Sequence, residues 1–268
     1  MLNNNLCGCL IVSIMLIFAA PLKSLSADKG KPFKVLCYNI HHANPPSKPG
    51  YIDLPAIARV IKESGADLVA LQEVDVNTDR SGKGIHQARE LAKLTGMYSF
   101  FVKTIDHGGG DYGIAILSKF PILDSASYKL PMKEGAGGEP RGVAAITVKL
   151  PGGKKILFAS THLDLKPANK LLHSAELNRI FKNQRHPVIL AGDFNSLPDS
   201  EVIKELDSQF TRTCTESCGF TIPEVKPNRT IDYIMFSKTA KIDVLSHQVI
   251  AEPYASDHLP VLSELRLR

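Results

Sequence analysis

The sequence predicts an α/β fold in which mixed β-sheets lie inside and helices cover their outer faces. Short apolar runs alternate along the chain with segments whose apolar residues recur at helical spacing. Polar residues follow some of these apolar runs and precede others. If all the polar residues meet at one edge of the sheets, some strands end at that edge and others begin there, so neighbouring strands run in both directions. Pro151, Gly152 and Gly153 separate two β-rich runs and are typical of a hairpin turn. Mixed sheets are therefore favoured over a purely parallel sheet, with helices outside as the economical architecture.

Predicted strands carry the polar residues at one end. Four of them have polar residues near their end: FKVLCYNIHH with Asn39, ADLVALQEV with Glu73, KKILFASTHLD with His162, and PVILAGDFN with Asp193 and Asn195. Two others have polar residues at or before their start: TIDYIMFS with Asp232, and SDHLPVLSELRL with Asp257 and His258. Residues two apart on a strand share a face, so Asp193 and Asn195 are expected to emerge together while Phe194 points the other way.

Helices are predicted in four segments between the strands. DLPAIARVIKESGA is expected to stop at Gly65, and HQARELAKLTG at Gly96. DSEVIKELDSQF is a shorter helix. In PANKLLHSAELNRIFKN the helical spacing predicts an apolar face formed by Leu171, Leu172, Ala175 and Phe181.

Length and composition indicate one domain behind an export signal. The chain has 268 residues, 44% of them apolar, and no repeat or low-complexity tract after residue 32, so we expect a single domain over residues 28–268. Residues 1–27 differ, because residues 10–20 are interrupted only by Ser13 and are followed by small and polar residues. This apolar stretch is too short for a membrane span and typical of a signal peptide, with cleavage after Ala27. We expect a periplasmic or extracellular protein, with a signal anchor as the alternative.

The net charge and the cysteine residues indicate which substrates and which cellular compartment suit the protein. The formal charge of +5 is mild, and the basic residues are scattered rather than gathered into the patch typical of nucleic-acid binders. This balance is compatible with anionic substrates. Cys37 lies in a strand-like run and is interpreted as a core residue. Cys214 and Cys218 are too few for a zinc site and are expected to pair in an oxidising compartment.

The polar residues at the strand ends form a set suited to phosphoryl chemistry. Carboxylate and amide oxygens suit hard cations such as Mg²⁺, and the scarcity of thiolates argues against structural zinc. Histidines beside carboxylates can be held charged or in a fixed tautomer. A metal ion, an oriented water, imidazole and amide donors together can support in-line attack on phosphorus.

The ordered motifs of this chain resemble those of one known superfamily. They are NIHH, LQEVD, YGIAILSKFPI, STHLD, AGDFN, TIDYI and SDHLP, and they run from about Lys34 to Leu265. They are similar to motifs of the endonuclease/exonuclease/phosphatase superfamily, which includes deoxyribonuclease I-like nucleases, apurinic endonucleases, neutral sphingomyelinases and inositol-polyphosphate 5-phosphatases. The resemblance implies a four-layer α/β sandwich, with two mixed sheets face to face and helices on the outer faces. It also implies a metal-dependent hydrolase using one or two Mg²⁺ ions, with Mn²⁺ as a substitute.

The resemblance also implies a role for each matched residue. Glu73, Asn39 and Asp257 match the metal-binding neighbourhood. Asp193 matches the aspartate that orients or deprotonates the attacking water, and Asn195 the amide that positions water and phosphate oxygens. His258 matches the histidine that contacts the scissile phosphate and is held by Asp232. His162 matches a second phosphate-facing histidine, a candidate acid for the leaving oxygen.

Two arginines extend the predicted site. Arg80 in NTDRSG and Arg141 in EPRG lie in segments similar to those of small bacterial members of the superfamily, where an arginine can grip phosphate as a fork. A solvated loop arginine is the alternative at both positions. Thr230 departs from the pattern, because relatives often carry arginine shortly before IDY.

The function predicted from these features is an exported metal-dependent phosphoesterase, acting on a phosphodiester as a monomer. A nuclease acting on DNA or RNA and a phospholipid or inositol-phosphate hydrolase are the alternatives within this class. A non-catalytic binding protein is a further alternative, although every matched position holds a chemically competent residue. A glycosidase with paired carboxylates would leave the Asn and His partners unexplained.

Overall fold

Two six-stranded sheets pack face to face in the computed structural model, which describes residues 1–2 and 30–268. The predicted signal peptide therefore lies outside the described residues, apart from its first two. In spatial order the first sheet contains β11 (Ile242–Val249), β12 (Val261–Leu267), β1 (Phe33–Asn39), β2 (Leu68–Val76), β4 (Gly110–Ser118) and β3 (Tyr98–His107). The second contains β5 (Ile122–Lys129), β6 (Gly142–Lys149), β7 (Lys155–His162), β8 (Val188–Asp193), β10 (Asp232–Ser237) and β9 (Phe210–Arg212).

Helices cover the outer face of each sheet. They are α1 (Leu54–Ser64), α2 (Gln87–Thr95), α3 (Pro167–Phe181) and α4 (Glu201–Asp207). A single turn of 3₁₀-helix follows β1 at His41–Ala43. The predicted stops of α1 and α2 are confirmed, because Gly65 and Gly96 adopt left-handed backbone with φ of 69° and 71°. No helix of the described residues qualifies as a candidate membrane span.

Three apolar layers of side chains separate the four layers of backbone. Along β2, Leu68 and Ala70 face the layer between the two sheets, whereas Val69 and Leu71 face the layer under α1 and α2. A third layer lies between the second sheet and α3 and α4. A strand buried on both faces needs apolar residues on both, which explains the near-continuous apolar run of β2. The predicted four-layer sandwich is confirmed.

Strand directions bring the predicted polar residues to one edge of the sandwich. β1 and β2 pair in parallel, as do β7 and β8. β12 runs antiparallel to β1, and β10 runs antiparallel to β8. Four strands therefore end at this edge and two begin there, as predicted, and the sheets are mixed. The predicted hairpin at Pro151 is confirmed by the antiparallel pairing of β6 and β7.

The predicted apolar face of α3 is wrong at Leu171 and Ala175 and right at Phe181, which is buried, while Leu172 is half-buried. Leu171 and Ala175 are exposed, whereas His173, Ser174 and Leu177 are buried. Polar residues can occupy the buried face because their hydrogen-bonding groups find partners there. For example, Asn178 donates to the backbone oxygen of Glu205 at 2.7 Å and so joins α3 to the end of α4.

The predicted disulfide is confirmed. Cys214 and Cys218 are bonded, with their α-carbons 5.6 Å apart, within the range that a disulfide can bridge. The bond closes a short turn in the long segment between β9 and β10. Cys37 is a buried free thiol in β1, which confirms its assignment to the core.

Candidate active site

All eight polar residues predicted at the strand ends lie at the same edge, which we call the polar edge. Five of them are buried: Asn39, His162, Asp193, Asp232 and His258. The other three are partly exposed: Glu73, Asn195 and Asp257. Buried polar side chains are stable only when they bond to one another or to a ligand, so their mutual contacts indicate what the site can do.

Several groups converge on one carboxylate oxygen, Oδ2 of Asp193. The Nδ2 atom of Asn39 donates to it at 3.1 Å. The Nε2 atoms of His162 and His258 lie 3.5 Å and 3.8 Å from the same oxygen. The other oxygen of Asp193 accepts the backbone N–H of Asn195 at 2.9 Å. Two imidazoles and a carboxylate therefore surround the point at which β8 ends.

The register of the second sheet explains this convergence. Asp193 pairs with His162 on β7 and with Asp232 on β10, so three chemically active residues lie side by side. Asn195 then turns back with φ of 48°, a left-handed conformation uncommon for residues other than glycine. Strained backbone of this kind clusters at functional sites, where the surrounding structure holds it.

Asp232 holds His258 in a charged state. The Nδ1 atom of His258 lies 2.9 Å from Oδ2 of Asp232, and both side chains are buried. Burial alone would lower the pKa of His258, but the charge and hydrogen bond of Asp232, followed by the charge of Asp193, raise it to about 10. A protonated His258 presents Nε2–H towards Asp193, so any anion bound there meets a positive charge.

Burial also raises the pKa of Asp193. Desolvation is the largest cause and the nearby charge of Asp232 the second, while His258 and the hydrogen bonds from Asn195 and Asn39 oppose them. A carboxylate of raised pKa is a stronger proton acceptor, which suits the role predicted for Asp193.

His162 is held neutral. Burial is the main cause of its pKa falling well below the usual value, and the charges of Arg141 and His258 add to it. Nη1 of Arg141 lies 3.1 Å from Nδ1 of His162. Because a guanidinium can only donate, Nδ1 accepts from Arg141 and the hydrogen of a neutral ring lies on Nε2. Nε2 faces Oδ2 of Asp193 at 3.5 Å and also lies 3.2 Å from Nδ2 of Asn195. The contact with Arg141 favours His162 as a neutral hydrogen-bond donor, whereas the resemblance implied a candidate acid for the leaving oxygen.

Arg141 lies behind His162 and is buried, unlike a solvated loop arginine. Its Nη2 atom forms an ion pair with Glu139 at 3.0 Å, and its Nε atom has no partner. The guanidinium is therefore engaged with His162 and Glu139, and the predicted phosphate contact is not supported by its contacts.

We expect Arg141→Met to lower kcat by about 10- to 100-fold, since a hydrogen bond from a charged group is worth about 1.5–3 kcal/mol. KM should change little, because Arg141 orients His162 rather than holding substrate. Steady-state kinetics on a soluble phosphodiester measures both parameters. A large rise in KM at unchanged kcat would instead show that Arg141 binds the phosphate. Arg185→Met, near the end of α3, is the matched control.

Arg80 is also engaged within the protein. Its Nε and Nη2 atoms bond to the two oxygens of buried Asp75 at 2.7 Å and 2.9 Å. Thr78 and Ser81 donate to the same carboxylate, so the arginine completes a folded loop. The guanidinium N–H groups that would bind a phosphate are already bonded to Asp75. The structure therefore gives no support to the predicted phosphate contact of Arg80.

Of the residues predicted to hold metal, Glu73 and Asp257 offer the carboxylate oxygens that a hard divalent cation prefers, while the amide oxygen of Asn39 accepts the N–H of His41 at 3.1 Å. Oε1 of Glu73 accepts Nδ2 of Asn39 at 3.0 Å, and the Glu73 side chain is 23% exposed. Glu73 also has a φ of 58°, where the pairing of β2 with β4 is irregular. The backbone is thus distorted to present this carboxylate at the polar edge.

A second group in the described residues also has metal-binding geometry: Asp193, Asp232 and His258 offer ligand atoms within 4.8 Å of one another. In that group Nδ1 of His258 and Oδ2 of Asp232 are hydrogen-bonded to each other, and all three side chains are buried. Glu73 and Asp257 are partly exposed, so they are more accessible to a cation from solvent than this buried group.

Two residues with contacts at the polar edge, Lys170 and Ser256, were not anticipated from the sequence. Nζ of Lys170 on α3 bonds to the backbone oxygen of Asn195 at 2.5 Å. The hydroxyl of Ser256 donates to the backbone oxygen of Asn39 at 2.7 Å and accepts the N–H of His258 at 3.3 Å. Ser256 lies within the SDHLP motif, which could have pointed to it. Lys170 carries no such signal, because only the packing of α3 brings it to the site.

A cavity of about 390 Å³ lies beside Asp232. Its lining includes the disulfide segment and residues of β9 to β12. Oδ1 of Asp232 is buried without a hydrogen-bond partner.

Comparison with known proteins agrees with this geometry. Residues 36–258 match the model of the Endonuclease/Exonuclease/phosphatase family. The chain is 29% identical over 192 residues to an inositol phosphosphingolipids phospholipase C from Schizosaccharomyces pombe, covering 65% of this chain and 43% of the relative. It is 24% identical over 239 residues to human nocturnin, covering 74% of this chain and 54% of the relative. The chain thus spans about half the length of these curated relatives.

Solved structures show the same fold. A family member from Beutenbergia cavernae superposes with a TM-score of 0.72 at 25% identity, covering 88% of this chain and 72% of that one. The family model extends over most of the chain and includes all the residues gathered at the polar edge. The chain therefore belongs to the endonuclease/exonuclease/phosphatase family, whose members are hydrolytic enzymes acting on phosphate esters.

Proposed function

We propose that the protein is an exported, Mg²⁺-dependent phosphodiesterase that hydrolyses its substrate by in-line attack of water. The observation that carries this proposal is the convergence of His162, His258 and Asn39 on Oδ2 of Asp193. A proton acceptor and a charged donor side by side suit a reaction in which water loses a proton while negative charge develops on phosphorus.

Each residue has a distinct task in this reaction. Asp193 accepts a hydrogen bond, and then the proton, from the attacking water. Asn195, whose amide donates to the backbone oxygen of Leu163 at 3.0 Å, is held where it can orient that water or a phosphate oxygen. Charged His258 and neutral His162 donate from Nε2 to the phosphate oxygens. A divalent cation held by Glu73, Asn39 and Asp257 would polarise the phosphate when bound.

The net charge of the chain and one of its relatives indicate which kind of phosphodiester the protein hydrolyses. The mild net charge offers no extended basic track for a nucleic-acid backbone. A named relative of this chain is a phospholipase C, an enzyme that acts on a phosphodiester. Both points support a substrate other than nucleic acid.

The proposal is tested by a hydrolysis panel with Mg²⁺ or Mn²⁺. It contains bis-p-nitrophenyl phosphate, p-nitrophenyl phosphate, plasmid DNA, sphingomyelin, phosphoinositides and inositol phosphates. Hydrolysis of bis-p-nitrophenyl phosphate in preference to the monoester supports a phosphodiesterase. Turnover of monoesters alone would replace it with a phosphatase, and preference for plasmid DNA would replace it with a nuclease.

Metal removal is expected to abolish turnover. Excess EDTA should stop hydrolysis, and Mg²⁺ or Mn²⁺ should restore it, because the donor set is rich in oxygen. Glu73→Ala should raise the Mg²⁺ concentration needed for half-maximal rate, whereas the surface variant Glu63→Ala should not. Full turnover in excess EDTA would contradict metal dependence.

Export is proposed on the sequence of residues 1–27. We expect that protein purified from the cell envelope or from the culture medium begins near Asp28. N-terminal sequencing measures this directly. An intact Met1 on membrane-bound material would show a signal anchor instead.

A further inference from the structure

Exposed apolar side chains surround the polar edge on the side of the second sheet. Leu165, Leu171, Leu197 and Phe220 are 67%, 47%, 46% and 53% exposed. We call these four residues the apolar rim. They come from three separate chain segments, so no continuous apolar run in the sequence reveals them.

Each rim segment is tied closely to a residue of the active site. Leu165 follows His162 by three residues, and Leu197 follows Asn195 by two. Phe220 precedes Thr221, whose backbone oxygen accepts the N–H of Leu259, the residue after His258. The rim segments therefore lie next to the catalytic residues.

Two concave surfaces connect the rim to the catalytic residues. Leu171, Leu197 and Asn195 line a groove of about 420 Å³ between the starts of α3 and α4. Phe220 and Asp232 line the 390 Å³ cavity below the disulfide segment, and Pro198, next to Leu197, belongs to its lining. The two concavities therefore flank the turn at residues 195–198.

Charge on the rim segments identifies the kind of surface they fit. Residues 163–170, 194–201 and 213–231 together contain four basic and five acidic residues. Binding to a nucleic acid requires an excess of positive charge, which these segments lack. Because the charges of these segments nearly cancel, they gain little from an anionic surface, whereas exposed apolar side chains still gain from leaving water at a lipid layer whose headgroups carry no net charge.

We propose that the apolar rim docks on a zwitterionic lipid surface, so that the substrate is an amphiphilic phosphodiester held in that surface. The proposal rests on the phosphodiesterase activity proposed above and names its substrate class. Docking places the phosphate of a lipid headgroup at Asp193 and His258. At the same time the apolar rim leaves water and contacts the acyl chains of the lipid.

The absence of tryptophan from the chain allows a direct test of docking. Phe220→Trp places a single tryptophan on the rim. Tyr98→Trp places one at the opposite end of the first sheet, on a side chain of similar exposure, 51% against 53%. With phosphatidylcholine vesicles, the emission of the Phe220→Trp protein should shift to the blue and be quenched by brominated acyl chains. The emission of the Tyr98→Trp protein should do neither.

No shift for Phe220→Trp, or equal quenching of both proteins, would overturn docking by the rim. A shift on added single-stranded DNA without one on vesicles would also overturn it in favour of a nucleic-acid surface. Because each tryptophan reports only its own position, membrane contact by the amino-terminal segment cannot imitate the expected result.

Activity tests the substrate class. Leu165→Ser with Phe220→Ser should lower hydrolysis of sphingomyelin or phosphatidylcholine in vesicles by roughly tenfold or more, because the rim supplies the apolar area that enters the lipid. Hydrolysis of soluble bis-p-nitrophenyl phosphate should not change. Leu94→Ser with Leu123→Ser, two exposed leucines away from the polar edge, is the matched control.

Equal rates for the rim and control variants on vesicles, or no headgroup release by the unmodified protein, would overturn the lipid substrate. The two proposals can fail separately. If the unmodified protein leaves bis-p-nitrophenyl phosphate intact while Phe220→Trp still enters vesicles, the phosphodiesterase fails and the docking surface stands.

Discussion

Asp193→Asn is expected to lower kcat by about 10²–10⁴-fold, the usual contribution of one positioned proton-transfer group. The loss should appear at every pH, because no other carboxylate among the described residues lies between the two imidazoles. An amide of the same shape can still accept the N–H of Asn195, but it cannot take a proton from water. Where Nδ2 of the new amide replaces Oδ2, it also faces Nδ2 of Asn39, and two donors cannot bond.

The measurement is a kcat–pH profile at saturating Mg²⁺ with thermal unfolding as a check on folding. Asp199→Asn, an exposed aspartate on the same loop, is the matched control and should keep normal turnover. Near-normal turnover of Asp193→Asn would show that another group activates the water. A loss confined to KM would show that Asp193 serves binding rather than chemistry.

The polar edge could be predicted because its determinants are local. Each strand that reaches it contains an apolar run and a polar residue at one end, as in β8 with Asp193. The direction of a strand relative to the edge follows from whether that residue stands first or last. Asp232 at the start of β10 and His162 at the end of β7 illustrate the two cases.

Partners of the arginines could not be predicted because they depend on packing between distant elements. Arg141 reaches His162 only because β6 and β7 are paired, and this contact decides which nitrogen of His162 carries the hydrogen. The resemblance implied a candidate acid for the leaving oxygen at His162, whereas burial and the contact with Arg141 favour a neutral imidazole that donates a hydrogen bond. Arg80 likewise meets Asp75 within a folded loop that periodicity does not describe.

The buried face of α3 shows a further limit. Helical spacing of leucines predicts which side of a helix is buried only if polar residues stay outside. In α3 the polar groups of Asn169 and Asn178 find backbone partners in neighbouring segments, so they are buried while Leu171 is exposed. Because the buried face of α3 is polar, Leu171 lies on the exposed apolar rim. The spacing of the leucines alone would have predicted it in the core.

Asp232→Asn is expected to move the alkaline limit of activity to lower pH. The pKa of His258 is about 10 because Asp232 and Asp193 outweigh the effect of burial. Removing the charge of Asp232 leaves burial less opposed, so the pKa of His258 falls and the imidazolium is lost at lower pH. Turnover that needs the charged imidazole should then decline well before pH 10, while the loss at neutral pH should be smaller than for Asp193→Asn.

The effect of Asp232→Asn on the free energy of unfolding should also depend on pH. A histidine whose pKa is raised by folding stabilises the protein fully below its unfolded value of about 6.5 and loses that contribution as pH rises towards 10. Asp232→Asn should therefore lower the free energy of unfolding most in mildly acidic to neutral solution, and least near pH 10. Asp243→Asn, which removes a surface carboxylate paired with Arg268, should leave the kcat–pH profile unchanged. An unaltered alkaline limb in Asp232→Asn would show that catalysis does not depend on a charged His258, and the division of roles between His258 and Asp193 would then be wrong.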